Sequence, residues 1–313
     1  MSTVFERLAP EARVAVIRLR SLGDCVLTTP ALSLLKQARP DLRIGVVVED
    51  AFAPVFAGNP DVDCILRPKA SEISRWRPHL ALNLHGGATS VRLTLASRAL
   101  LRAGFNHFRF RPIYNVRIPR AQEILHVHRK VHTAEHLASA SFFLGAPVGE
   151  IPRARLFAKH VPRPRPHAVL HPMASAPSKI WPYSNFLAIA DHIEHRLGLE
   201  PVFISGRGES LAAFNRYTSL EGASLEEIKS LLAGAALFIG NDSGPAHMAA
   251  AFGIPVVVMF GSSDPDIWRP WRTESSVLTS PDGIQFIGIP EALRAIQTVR
   301  VPNPQPLAPQ LSQ

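Results

Sequence analysis

The stretch Leu237–Gly261, LFIGNDSGPAHMAAAFGIPVVVMFG, constrains the fold of this chain more than any other. Two apolar runs bounded by glycine and proline flank a polar turn and a helix of small residues, which is the pattern of a βαβ unit. Such runs suit strands covered on both faces, and a parallel crossover takes roughly a dozen residues. The chemistry gathers in the turn Asn241-Asp242-Ser243-Gly244. Ligands of open parallel sheets bind beyond the carboxyl ends of the strands, and the first-turn amides of a helix receive anions there. His247 follows one turn later, with Pro245 in the first turn, where its missing N–H costs nothing. A lone Asp or Ser at this position is usually only a cap. Several polar residues with a histidine one turn on bring more groups to one point than a cap needs.

The pattern recurs in both directions along the chain. Val14–Leu19, Arg43–Val48, Val62–Leu66 and His79–Leu84 read as strands with short helical patterns between them. His167–Pro172 and Pro201–Ser205 restart the alternation after Pro162-Arg163-Pro164-Arg165-Pro166, whose alternating prolines favour an extended linker. Alternating βα units imply a doubly wound α/β architecture. We therefore expect a first domain over 1–161, a linker over 162–166, a second domain over 167–300 and a mobile tail over 301–313. The chain opens without a long apolar core before a cleavage site and has no run of about 18 apolar residues. Cys25 and Cys64 form neither a CxxC pair nor a metal-ligand spacing, which favours a reducing, cytoplasmic setting.

Charge is unevenly divided. Residues 1–160 hold 23 Lys and Arg against 12 Asp and Glu, whereas residues 161–313 hold 11 against 13. A basic first half suits nucleic acid, anionic lipid or a phosphorylated substrate, or is a solvated surface. Its densest part runs through Arg92, Arg98, Arg102, Arg109, Arg111, Arg117 and Arg120, with a helix expected to carry Val91 through Leu101. Arginine forks onto phosphate and carboxylate oxygens, so this stretch is the candidate grip for an anionic acceptor.

Three patterns that invite a metal are weak. Asp61-Val62-Asp63 lies in a turn leading into a strand, Asp264-Pro265-Asp266 lacks further ligands, and His128, His132 and His136 fall on a helix expected to begin near Arg129 with no completing ligand set. Asp24, after the strand Val14–Leu19 and ahead of a helix, sits where a general base could face the cleft; the same position suits a carboxylate that only complements a helix dipole. A dinucleotide fingerprint would need three glycines, and only Gly23 is present. Lys179, in the loop after His167–Pro172, can neutralise charge on a diphosphate, with Ser175 donating to the same oxygens.

Taken in order, these motifs resemble those of the ADP-heptose:lipopolysaccharide heptosyltransferase family, glycosyltransferase family nine. Arg18-Leu19-Arg20-Ser21-Leu22-Gly23-Asp24 with Thr28-Thr29-Pro30 is similar to the family's opening segment. His171-Pro172-Met173-Ala174-Ser175 with Lys179 and Trp181-Pro182 resembles its second, with Met173 where glycine is more usual. Gly206-Arg207-Gly208-Glu209 resembles its G-x-x-E, and Asp242-Ser243-Gly244 with His247 its D-S/T-G-x-x-H. Gly261-Ser262-Ser263-Asp264-Pro265 resembles a further loop at the cleft edge.

The resemblance implies a GT-B fold, two Rossmann-like domains facing across a cleft, and a metal-independent inverting glycosyltransferase that takes a sugar nucleotide, ADP-heptose first among them. It assigns Asp24 as catalytic base and Ser175, Lys179, Glu209, Asp242, Ser243, Gly244 and His247 to the donor, with Glu209 near the ribose. No metal or cofactor and no nucleic acid is expected. The acceptor would be an anionic glycolipid or lipopolysaccharide-core glycan, met at the inner-membrane surface by a cytoplasmic, peripheral enzyme. The alternatives are another sugar nucleotide on the same fold, or a non-catalytic basic module binding nucleotide or lipid.

Overall fold

The computed structural model describes residues 2–159 and 161–299; the expected tail over 301–313 lies outside the described residues. Two six-stranded, wholly parallel sheets make up the framework. The first holds β1 (Arg13–Ile17), β2 (Arg43–Val47), β3 (Cys64–Leu66), β4 (Leu80–Asn83), β5 (Leu101–Phe105) and β6 (Val116–Ile118), in the order β3-β2-β1-β4-β5-β6. The second holds β7 (His167–His171), β8 (Glu200–Ile204), β9 (Thr218–Leu220), β10 (Leu237–Asn241), β11 (Val256–Phe260) and β12 (Ser275–Thr279), in the order β12-β11-β10-β7-β8-β9. Both sheets thus repeat one winding, and each changes direction beside its first strand, between β1 and β4 and between β7 and β10. A ligand crevice forms at such a point.

The helices are α1 (Leu22–Ala38), α2 (Ala70–Trp76), α3 (Ala88–Ala96), α4 (Ala121–Leu125) and α5 (Thr133–Leu144), then α6 (Tyr183–Leu197), α7 (Leu225–Leu232), α8 (Gly244–Phe252), α9 (Pro265–Trp268) and α10 (Ile289–Thr298). Along β10 and β11, alternate residues serve two cores. Phe238, Val256, Val258 and Phe260 face the core shared with α7 and α8, while Leu237, Ile239, Val257 and Met259 face the one under α6 and α10. Period two with apolar residues at every position is what a strand buried on both faces requires.

The first core does not stop at the second half. It runs without interruption from Val14 and Val16 of β1 through Leu27 of α1 to Met248 and Ala249 of α8. Polar ties cross the same seam. The Lys229 ammonium, fully buried, donates to the Pro54 carbonyl at 2.8 Å, the Trp271 indole donates to the Pro152 carbonyl at 2.9 Å, and Lys130 pairs with Asp264 at 2.6 Å.

Helix α1, which carries Asp24 in its first turn, is buried along most of its length although Pro30 interrupts its interior. Proline cannot donate to the carbonyl four residues back. Here the Thr29 hydroxyl donates to that carbonyl, Val26 O, at 2.9 Å, so the helix continues. Two expectations need correction. The helix over 91–101 stops at Ala96, Arg98 takes a left-handed backbone (φ 55°), and Leu101 opens β5 instead of covering a helix face. The helix expected from Arg129 begins at Thr133, because His132 caps it and Glu135 closes a reciprocal bond on the His132 amide.

Candidate functional site

The carboxyl ends of the two sheets open into one cleft of about 1110 Å³. Ser21, Leu22 and Gly23 line it from the first half, with Phe52 and Pro54 beside them. Ser175, Lys179, Glu209, Asp242, Ser243, Gly244 and His247 all line it from the second half. The chain therefore brings all seven sequence-predicted donor-side residues to one place. Asp24 follows the Gly23 lining residue directly and leaves about a quarter of its side chain accessible.

On the first-half wall the Asp24 carboxylate is held at both oxygens. Arg18, immediately beyond β1, places Nη1 3.3 Å from Oδ1, and the Ser21 hydroxyl donates to Oδ2 at 3.1 Å. Arg18 is buried, and its Nε has no hydrogen-bond partner. Burial lowers its pKa while Asp24 raises it again. Beside this pair stand His85, just past β4, and His136 of α5. Burial is the main reason both imidazoles are held below their ordinary value, with the Arg18 charge adding to it and His136 pushed down to about 4. His136 stacks on Phe105 with ring centroids 4.1 Å apart. The loop carrying His85 is fixed from below. Asn83 accepts from the His85 and Gly86 amides through Oδ1, and its amide nitrogen reaches Ser90, Thr94 and Tyr114 inside the core.

The second-half wall is built on β7 and β10. Asn241 spends its side chain on structure, accepting from the Trp181 amide at 3.1 Å and donating to the Pro172 carbonyl at 2.8 Å, which holds the loop of Ser175 and Lys179 over the end of β10. Lys179 Nζ lies 3.3 Å from Asp242 Oδ2. Ser243 stands at the N-cap of α8 but makes no side-chain cap; its hydroxyl meets His171 Nδ1 at 2.9 Å. His171 is buried at the back of the cleft, and burial pushes its pKa down to about 4, so the imidazole is neutral. The first turn of α8 faces the cleft without a side-chain cap; Pro245 has no N–H and the Ala246 amide donates to the Ser243 carbonyl at 3.2 Å, so the Gly244 amide is the first-turn donor that can receive an anion. Met173, where the resemblance leads one to expect glycine, turns into the second-half core and receives a contact from the Tyr183 hydroxyl at 3.5 Å. Glu209 lines the cleft while its Oε2 accepts from the Gly206 amide of its own loop at 2.7 Å.

The metal-like patterns resolve into structural ties. Asp63 accepts from the Ile44 amide and pairs with Lys36, Asp264 caps α9, and His132 bonds the Arg269 carbonyl at 2.8 Å. Among the described residues no group of three or more His, Cys, Asp and Glu could hold a metal ion. The arginine-rich stretch also divides. Arg102 donates to the Ile113 and Ala99 carbonyls, and Arg98 joins Arg13, Arg75 and Arg77 around a separate cavity of about 1000 Å³ at the opposite end of the first sheet. Burial, with the nearby Arg120 charge adding to it, lowers the pKa of His107, whose ring lies 5.4 Å from His136. His171 lines the cleft, and Arg18 and His85 stand beside Asp24; the sequence patterns gave none of the three a role. Each ends a strand or follows one within two residues, and that position was the available signal.

Two facing α/β units with a shared crevice at the carboxyl ends of their strands define the GT-B class of fold. Residues 75–285 match Glycosyltransferase family 9 (heptosyltransferase), and the chain belongs to that family. It is 29% identical over 289 residues to lipopolysaccharide heptosyltransferase 3 of Escherichia coli, covering 81% of this chain and 84% of that protein. With lipopolysaccharide heptosyltransferase 1 of Salmonella typhimurium it shares 24% identity over 302 residues, covering 86% of this chain and 95% of the relative. The fold superposes on a family 9 glycosyl transferase from Veillonella parvula with a TM-score of 0.81 at 22% identity, covering 92% of this chain and 97% of that one. It superposes on E. coli heptosyltransferase WaaC, solved with ADP, with a TM-score of 0.76 at 18% identity, covering 91% and 99%. Among the described residues no helix is long and apolar enough to cross a membrane.

Proposed function

We propose that this chain transfers heptose from ADP-heptose to an anionic lipopolysaccharide-core acceptor, with inversion at the anomeric carbon. The observation that carries the reading is the approach of the first turn of α1, which carries Asp24 directly after the cleft-lining Gly23, to the first turn of α8, whose Gly244 lines the same cleft. Membership of the heptosyltransferase family supports the sugar, and the WaaC structures with ADP and with ADP-2-deoxy-2-fluoro heptose support the nucleotide.

In this reading Asp24 accepts the proton of an acceptor hydroxyl as that oxygen forms its bond to the anomeric carbon. The bond from that carbon to the diphosphate oxygen breaks, and its electron pair leaves with ADP. Lys179, Ser175 and the Gly244 amide at the start of α8 meet the developing charge. Donors of this kind, fixed in advance where charge appears, are worth about 3 kcal/mol of barrier each, roughly a hundredfold in rate. Arg18 holds the base, Glu209 takes the ribose, and Arg120 with its neighbours faces the acceptor at the cytoplasmic surface of the membrane. No divalent metal enters the step.

The test begins with thermal stabilisation by ADP, UDP and GDP, since a ligand bound only by the native state raises the midpoint. ADP should raise it selectively, and release of ADP from ADP-heptose with heptose-deficient lipopolysaccharide should follow, undiminished in EDTA. Selectivity for UDP or GDP overturns the donor. Activity lost to a chelator and restored by Mn²⁺ overturns metal independence. No shift with any nucleotide at saturating concentration overturns the transferase reading itself.

A further inference from the structure

Helices α1 and α8 begin side by side, and at that point each inserts a side chain into a glycine of the other. The His247 ring lies on Gly23: a β-carbon built there would stand 2.7 Å from His247 Cδ2 and 3.3 Å from Nε2. Conversely, a β-carbon on Gly244 would stand 2.5 Å from Leu22 Cδ2 and 2.6 Å from Cγ. Non-bonded carbons pack at about 3.5–4.0 Å, so each glycine is a notch fitted to one side chain of the facing helix.

The sequence positions of these four residues matter more than the packing. Leu22 and Gly23 are the two residues before Asp24, and Gly244 follows Ser243. The pair of contacts therefore locks the turn that carries the carboxylate to the turn that receives the anion.

We propose that Leu22 and His247 are positioning residues that set Asp24 against the first turn of α8. This rests on the reading of Asp24 as base and of α8 as the diphosphate site. It gives Gly244 a reason to be glycine that is separate from any approach of backbone to phosphate. Two interlocked contacts fix both the separation and the rotation of the turns. A displacement of about 1 Å between reacting groups is enough to cost about a hundredfold in rate.

The experiment is a pair of double-mutant cycles on the full chain, Gly244→Ala with Leu22→Ala and Gly23→Ala with His247→Ala. Three quantities are read: melting temperature, ADP affinity by calorimetry, and kcat for ADP release from ADP-heptose. Gly244→Ala should lower kcat by about a hundredfold with the Kd for ADP within about threefold, and adding Leu22→Ala should recover at least tenfold of that loss. His247→Ala should do the same for Gly23→Ala. Leu22→Ala alone, which forces nothing into the seam, should lower kcat while leaving ADP affinity intact, and it serves if the alanines at the glycines do not fold. The proposal is overturned if Gly244→Ala weakens ADP binding and Leu22→Ala restores neither affinity nor turnover, since the glycine would then serve the ligand. It is equally overturned if His247→Ala raises the Kd for ADP with kcat unchanged. A wild type that binds ADP yet turns over no sugar nucleotide, with both cycles still coupled in melting temperature, instead overturns the transferase reading and with it the positioning role.

Discussion

The two halves repeat one strand order and present opposite chemistry at its mouth. Where β10 ends, the helix start has no side-chain cap and no acid in its first turn, and Lys179, paired with Asp242, and a neutral His171 behind Ser243 stand beside it. Where β1 ends, the helix start already carries its own negative charge, the Asp24 carboxylate, held by buried Arg18 and by Ser21. The same backbone feature, a helix N-terminus at the switch point of a parallel sheet, carries a carboxylate in its first turn in one half and no acid there in the other. Three residues decide this. Asp24 sits in the first turn of α1, while Gly244 and Pro245 bring no acid to the first turn of α8.

If that contrast is a division of labour, mutations in the two walls should separate turnover from donor affinity. Asp24→Asn should have the largest effect, lowering kcat by about 10²–10⁴, the usual contribution of a positioned base, with ADP affinity within about twofold of wild type. Lys179→Met should come next. It removes about 3 kcal/mol of charge stabilisation, roughly a hundredfold, and leaves Asp242 unpaired beside the diphosphate, so ADP affinity falls together with kcat. Equal losses of affinity in both variants would break the comparison. Arg18→Lys sharpens it: the charge stays but the reach of the planar guanidinium is lost, and kcat should fall by about tenfold, 1.4 kcal/mol of barrier, with ADP binding unchanged.

The smallest effect is on stability. His136 in the first half, His171 in the second and His132 on the seam are each lowered from 6.5 to about 4, chiefly by burial. Between those values the unfolded chain binds protons that the folded chain refuses. Stability is therefore greatest above about pH 6.5 and is lost as pH falls toward 4. Melting temperature should drop by several degrees between pH 7 and pH 5, and His136→Phe and His171→Asn should each flatten the slope. A variant that leaves the slope unchanged would show that its histidine is not buried neutral in solution.

The strands that sequence reading located and those it missed differ in position. β1, β2, β4, β7, β8, β10 and β11 are apolar runs and were legible, and so was β3, although it is three residues long and an edge of the first sheet. β9 and β12 are the two edges of the second sheet and β6 an edge of the first, and each is short or only partly buried. An edge strand has one neighbour, so it carries less of the apolar signal that burial imposes. β5 was hidden differently, because Leu95 and Leu100 continue a helical spacing although both are exposed, at 50% and 82%.

The sequence by itself determined the winding of the two sheets, the turns at which chemistry would collect and the residues Asp24, Lys179, Asp242, Ser243 and Gly244 that stand there, because alternation, turn chemistry and helix capping are local. Only the tertiary structure decided what those residues face. That Arg18 grips Asp24, that His171 lies neutral behind Ser243, and that Gly23 and Gly244 each receive a side chain from the facing helix depend on contacts between residues 6 to 224 positions apart in the chain. Apart from the shortest of them, no local pattern encodes such contacts; they exist because one hydrophobic core closes the two halves on each other.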